Sequence, residues 1–240
     1  MVNGITSSGL GKPDFKLALV QHDRYIEMLE KCGLKVEILE PLDDFPDSTF
    51  VEDVAVCTPH CAIISNPGAA SRNGETKQIS GILKKYFSDI EQIIFPGTLD
   101  GGDVMMVGNH YYVGISGRTN QEGADQFIKI LNKYGMTGSK IELYKVLHLK
   151  TGLSYIENNN LLVSGEFIIH SDFESYHKTI IDPSEFYAAN SLWINDFVLV
   201  PKGYPNTEKR IKEKAYFVLE LDVSEFRKLD GGLSCLSLRF

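Results

Sequence analysis

Cys235, His148 and Asp100 are the residue types of an activated thiol, an acid/base and a carboxylate that can fix an imidazole tautomer. A thiolate is the reactive form of cysteine, and a nearby histidine is its usual activator. Glu52 and Asp53 add adjacent carboxylates able to hold a cation. These five residues sit in loops rich in acid or glycine, over residues 45–53, 99–103, 147–152 and 229–235. Two of the loops share a tetrapeptide. Leu-Asp-Gly-Gly at 99–102 runs into Asp103, and its second copy at 229–232 runs into Leu233-Ser234-Cys235. A glycine pair ahead of a strand marks either a positive φ or a close backbone approach. Each residue also has an ordinary alternative. Cys235 fits a buried thiol in a strand, His148 a core histidine between Leu147 and Leu149, and Asp47, Glu52 and Asp53 turn residues before a strand.

Arg72 and Arg118 each follow the second strand of a hairpin, in Ser71-Arg72 and Gly117-Arg118. Matching places in two units suggest a shared task, such as bidentate binding of a carboxylate, against the alternative of solvated loop arginines. Cys57-x-x-His60-Cys61 offers three possible zinc ligands on one short hairpin, with no fourth nearby. Asp100-Gly-Gly-Asp103 lacks the acid spacing of a calcium loop, and neither a P-loop nor a dinucleotide fingerprint is present.

A repeated unit must position these loops. Residues 53–65, 103–116, 153–164 and 191–200 read as hairpins, turning at Thr58-Pro59-His60, Gly108-Asn109, Asn158-Asn159-Asn160 and Asn195-Asp196. Helical patterns follow at 74–87, 120–134 and 207–216, with 172–179 as the candidate in the third unit. Pro13 opens a further helix whose apolar stripe is Phe15, Leu19, His22, Ile26 and Leu29, and Gly33 stops it. Short strand patterns come next, at 35–39, 92–95, 140–146 and 216–221. The unit is hairpin, helix, strand, starting near residues 53, 103, 153, 191 and 233. A spacing of roughly 40 to 50 residues is the period of propellers and arrays. The reading is α/β: five units closing into a five-bladed α/β propeller, as a single catalytic domain over 1–240. The unit from 233 to 240 holds one strand of its hairpin, so the first strand, expected at the N-terminus, is missing.

The chain has 240 residues, 43% hydrophobic and 23% charged, an ordinary globular balance. A net charge of −8 argues against nucleic acid, because phosphate binding needs a basic patch. No stretch approaches the roughly 18 apolar residues of a membrane span. The start, Met1-Val2-Asn3-Gly4, has no signal-peptide pattern, so a cytoplasmic location is expected. Cys32, Cys57, Cys61 and Cys235 then read as thiols rather than disulfides.

Five motifs in order carry a family resemblance: Asp47-Ser-Thr-Phe-Val-Glu-Asp53, Leu99-Asp-Gly-Gly-Asp103, Arg118-Thr-Asn-Gln, Leu147-His-Leu-Lys-Thr-Gly-Leu and Asp230-Gly-Gly-Leu-Ser-Cys235. The chain resembles the dimethylarginine dimethylaminohydrolases of the pentein, or guanidino-group modifying, superfamily, with bacterial members most similar. The resemblance implies hydrolysis of Nω-methylated arginine to citrulline and a methylamine through a cysteine thiouronium intermediate, without metal or organic cofactor. It implies that Cys235 is the nucleophile, His148 the general acid/base and Asp100 its carboxylate partner, although bacterial relatives often carry Glu at this position. Glu52 and Asp53 would hold the guanidinium. Asp47, with the backbone carbonyls of Ile5 and Leu229, would take the α-amino group. Arg72 and Arg118 would take the α-carboxylate, and Phe50 would pack beside the substrate. The ligand is then a small guanidino amino acid, and a homodimer is allowed. Arginine or N-hydroxyarginine hydrolases and amidinotransferases use the same residue types, and a non-catalytic binder of arginine-like amino acids is the alternative of another class.

Overall fold

The computed structural model describes residues 1–240, and one rule of chain order builds each of its four three-stranded sheets. Two strands pair as an antiparallel hairpin, and a third adds in parallel to the second. Helix α1 (Phe15–Lys31) comes first. The first sheet is β1 (Ala55–Cys57), β2 (Ala62–Ile64) and, after α2 (Thr76–Leu83), β3 (Ile90–Gln92). The second is β4 (Val104–Val107), β5 (His110–Ile115) and, after α3 (Gln121–Lys133), β6 (Thr137–Glu142). A short α4 (Leu149–Gly152) leads into β7 (Leu153–Tyr155), β8 (Asn160–Val163) and β9 (His177–Ile180). The last is β10 (Leu192–Ile194), β11 (Phe197–Pro201) and, after α5 (Pro205–Lys212), β12 (Phe217–Leu221), with α6 (Ser224–Arg227) behind it. A parallel neighbour needs a crossover, and α2, α3 and α5 supply it. In the third sheet 3-10 turns at Gly165–Ile169 and Ser171–Phe173 do so instead.

The chain divides into two compact units. One comprises Met1–Pro41 and Thr151–Ser234; the other comprises Leu42–Lys150 and Cys235–Phe240. In the second, Ile63, Tyr111, Val113, Phe127 and Leu131 pack a core between the first two sheets and α3. Phe127 meets Tyr111 edge-on, with ring centroids 5.9 Å apart. In the first, Leu162, Val198, Val200 and Ile211 form the core. Its hairpin turn depends on Glu157, Asn158 and Asn159, all at positive φ, a conformation asparagine tolerates better than most residues.

Several expectations need correction. Asp14, not Pro13, starts α1: its carboxylate accepts from the N–H groups of Lys16 at 2.9 Å and Leu17 at 3.2 Å. The buried face of α1 is Ala18, Gln21, Tyr25 and Leu29, whereas Phe15 and Leu19 are 52% and 50% exposed. Polar Gln21 is buried because it pairs with α6. Its Nε2 donates to Ser224 Oγ at 2.9 Å, and its Oε1 accepts from Glu225 N at 3.0 Å. Residues 172–179 are not a helix; they end in β9, where the β-branched Thr179 suits a strand. Strand β3 lies two to three residues before its expected place. Residues 35–39 form no strand, and residues 233–240 form only a 3-10 turn at Ser234–Leu236. Neither segment joins any of the four sheets, so no strand ladder holds it extended. Four sheets are built where five units were expected.

Truncating the buried Phe127 to alanine is expected to cost about 3–5 kcal/mol, seen as a lower urea midpoint with an unchanged slope. A loss under about 1 kcal/mol would show that the α3 face does not anchor this core.

Candidate active site

The first Leu-Asp-Gly-Gly copy explains how the site is assembled. A Cβ on Gly101 would lie 2.0 Å from the Glu52 carbonyl oxygen. A Cβ on Gly102 would lie 3.0 Å from both Asp53 Oδ1 and the His148 ring. The glycines therefore let the 3-10 turn at Gly101–Asp103 lie directly against the one at Val51–Val54, which carries Glu52 and Asp53. The Gly102 N–H donates to Asp53 Oδ1 at 2.9 Å.

His148 stands among three carboxylates, its side chain 13% exposed. Asp103 Oδ2 is 3.2 Å from Nδ1, and Asp100 Oδ2 is 3.9 Å from Nε2. The expected partner, Asp100, is thus near the ring, but the tight contact belongs to Asp103. Asp103 is itself locked in place, accepting from Ser116 Oγ and Thr119 Oγ1 at 2.7 Å each and from Leu149 N at 3.0 Å. Asp100 instead accepts from the Gly68 N–H at 2.8 Å. Asp103 was visible as the second acid of the Leu-Asp-Gly-Gly-Asp motif, but nothing local distinguished its task.

The electrostatics follow from burial and proximity. Burial alone would lower the His148 pKa, but the charge of Asp103, with those of Asp53 and Asp100, raises it to about 9. Burial pushes Asp100 up to about 7, helped by the Asp53 charge and opposed by His148. Burial also works against the Asp53 charge, yet Arg72, His148 and the Gly102 N–H hold its carboxyl below the usual range.

Arg72 differs from expectation. It is 5% exposed and turned inward. Its Nη1 lies 2.6 Å from Asp53 Oδ2, its Nε 3.1 Å from both Glu75 oxygens, and its Nη2 2.8 Å from Glu75 Oε2. Nη2 also donates to the carbonyls of Phe50 at 2.8 Å and Asp47 at 3.2 Å. Two buried carboxylates demand a counter-charge, and Arg72 supplies it rather than facing outward to a ligand. Glu75 escaped the sequence reading because it lies in a helical pattern rather than an acid-rich loop. Arg118 is half-buried, and its guanidinium has no partner within the chain.

Glu52 is engaged as well. Lys150 Nζ is 2.6 Å from Glu52 Oε1, and Arg239 Nη2 is 3.4 Å from the same oxygen. Arg239 lies four residues after Cys235, in the short segment that belongs to the same compact unit as His148. Cys235 itself is half-buried in the 3-10 turn Ser234–Leu236, not in a strand. Asp47 and Phe50 are buried in this unit. In the other unit, the N-terminal loop carrying Ile5 is tied to the second Leu-Asp-Gly-Gly copy. Thr6 Oγ1 and Ser8 Oγ donate to the Lys228 carbonyl at 2.8 and 2.7 Å, beside Leu229, and the Ser7 N–H donates to Asp230 Oδ2 at 2.5 Å.

Asp53, Asp100 and His148 bring ligand atoms within 4.8 Å of one another, a spacing that could hold a metal ion. Their charge is balanced internally, by Arg72 on Asp53 and by the raised proton affinity of His148. At the Cys57–Cys61 hairpin, burial pushes the Cys57 thiol up to about 12 and also raises Cys61.

Known structures share this arrangement of elements. The N-terminal domain of ArgZ, a cyanobacterial arginine dihydrolase of the ornithine–ammonia cycle, matches with a TM-score of 0.88 at 17% identity, over 98% of this chain and 92% of that one, a likeness of fold alone. DDAH from Pseudomonas aeruginosa, solved as a cysteine-to-serine variant complexed with citrulline, matches with a TM-score of 0.99 at 51% identity, over 100% of this chain and 94% of that one. The fold is that of the pentein class. The family profile described as "N,N dimethylarginine dimethylhydrolase, eukaryotic" matches residues 13–180. The N(G),N(G)-dimethylarginine dimethylaminohydrolase of Pseudomonas aeruginosa is 52% identical over 241 residues, covering 100% of this chain and 95% of that protein. The chain belongs to the dimethylarginine dimethylaminohydrolase family.

The His148 environment sets a pH signature. Its folded pKa lies above the ordinary 6.5, so its contribution to stability is complete below pH 6.5 and is lost as pH rises through about 9. An NMR titration of the imidazole should show a midpoint near 9. Asp103→Asn should move that midpoint down towards 6.5, and an unchanged midpoint would remove Asp103 as its main cause.

Proposed function

We propose that this protein hydrolyses Nω-methylated arginines, asymmetric dimethylarginine and monomethylarginine, to citrulline and dimethylamine or methylamine. The observation that carries this reading is a half-buried His148 of raised proton affinity, set against Asp53 and Asp100 in the same compact unit as Cys235. Full-length similarity to a relative with that activity in its name supports it.

In this reading the Cys235 thiolate attacks the central carbon of the guanidinium. That carbon is flat, cationic and a poor electrophile, so position and retained charge matter most. Glu52 and Asp53 hold it in line. An S–C bond forms, and the C–N bond to the methylated nitrogen breaks as His148 gives that nitrogen a proton. A histidine with a pKa near 9 carries that proton at neutral pH. The thiouronium left on Cys235 is attacked by water, whose proton returns to His148. The S–C bond then breaks to release citrulline and the thiolate. No metal or organic cofactor enters these steps.

Asp47 and the carbonyls of Ile5 and Leu229 would take the α-amino group. Arg118, without a partner in the chain, would take the α-carboxylate, and Phe50 would pack beside the substrate. Arg72 would have to leave Asp53 and Glu75 to join Arg118. Residues 1–240 act as one cytoplasmic catalytic domain in this reading, as a monomer or a homodimer. The five-bladed arrangement belongs to the same proposal: the four sheets supply four blades, and residues 35–39 and 233–240 are the candidates for a fifth.

Citrulline release should be measured with asymmetric dimethylarginine, monomethylarginine, arginine and N-hydroxyarginine. Methylated substrates should be turned over and Cys235→Ser should lose at least about a thousandfold in kcat. Equal activity of wild type and Cys235→Ser would sink the mechanism. Fast turnover of arginine alone would move the protein to a sibling activity.

A further inference from the structure

The Glu52 carboxylate is expected to meet a substrate cation, yet a cation of the chain already holds it. Lys150 Nζ sits 2.6 Å from Oε1, and the side chains of the pair are 16% and 5% exposed. Neither end is loose. Lys150 follows His148 and Leu149 directly, and the Leu149 N–H is fixed to Asp103 at 3.0 Å. Glu52 is pinned through its backbone, whose carbonyl approaches Gly101 too closely for any side chain there. Arg239 Nη2, 3.4 Å from the same oxygen, reinforces the hold on Oε1.

We propose that Lys150 is a specificity-determining residue: by holding Glu52 Oε1, it makes the site favour methylated over unmethylated guanidinium groups. The proposal rests on the function proposed above. An alkylguanidinium carries five N–H donors. One methyl group leaves four, and two on the same nitrogen leave three. A carboxylate open at both oxygens matches a guanidinium through paired N–H bonds. With both acceptor positions of Oε1 taken, by Lys150 and by Arg239, a guanidinium N–H can take that oxygen only by displacing one of them. Each N–H without an acceptor in a water-poor site is a loss, so the ligand with most donors loses most. Methylation removes donors that this site is not built to accept. Simple repulsion between Lys150 and a bound cation would act equally on all three ligands. A graded response therefore separates acceptor matching from plain electrostatics.

The test compares wild type with Lys150→Met, Lys150→Gln and Lys150→Arg. One arm measures kcat/KM for arginine, monomethylarginine and dimethylarginine by citrulline release. The other measures binding of the same three ligands by titration calorimetry to each protein carrying Cys235→Ser as well. Lys150→Met should raise the arginine-to-dimethylarginine ratio at least about tenfold, with monomethylarginine between. Lys150→Arg, which keeps a cation on Oε1, should hold the ratio within about threefold of wild type. If Lys150→Met fails to fold, Lys150→Gln is held to the same values. A ratio that moves less than about threefold, or an equal shift for all three ligands, overturns the assignment. Should wild type release no citrulline, the proposed function falls and the binding ratios alone decide the role of Lys150. Absence of binding to every Cys235→Ser protein overturns it.

Discussion

Buried negative charge is the constraint on which this unit depends. Asp47, Glu52, Asp53, Glu75, Asp100 and Asp103 are all buried within one compact half of the chain. Carboxylates withdrawn from water must be paired, hydrogen-bonded or protonated. Each solution is present. Arg72 pairs with Asp53 and Glu75, Lys150 and Arg239 attend Glu52, three donors surround Asp103, and Asp100 is pushed towards its neutral form. The high proton affinity of His148 follows from the same density of acid. The histidine is thus a component of the charge balance as well as a candidate for chemistry.

The surrounding architecture lets these charges meet. The acids stand on 3-10 turns immediately before strands, at Val51–Val54 before β1 and Gly101–Asp103 before β4. Val54 and Ala55 at the first turn, and Val104 and Met105 at the second, are buried and anchor each turn to the core, so the charged groups cannot drift apart. Asp103 joins the two levels. It lies at the mouth of β4 and holds both the His148 ring and the first turn of α4.

Much of this was legible in the sequence, for identifiable reasons. The hairpins showed through their turn residues, and α3 through its periodicity from Asn120 to Tyr134. The convergence of Asp53, Asp100 and His148 followed from their matching places at unit starts. What stayed hidden depends on partners distant in sequence. Lys150 and Glu52 are 98 residues apart, and nothing at either position names the other. Arg72 read as an outward ligand because its two buried counter-ions are invisible to a linear pattern. The face of α1 was misjudged because the polar Gln21 is buried through bonds to α6 while Phe15 and Leu19 are left to solvent. Residues 35–39 have strand composition but join none of the four sheets.

The glycines differ in how a substitution could be rescued. At Gly74 an added carbon would strike the ring of Phe45, 2.1 Å away, and a smaller residue at position 45 would make room. At Gly101 the obstacle is the Glu52 carbonyl oxygen, an atom every amino acid carries. No change of side chain elsewhere can shorten it. Mutational drift can therefore wander at position 74 and return by a second step, whereas at position 101 the first step has no compensating partner. The immobility of the Glu52 turn is written into the chain as a position with no neighbouring genotype.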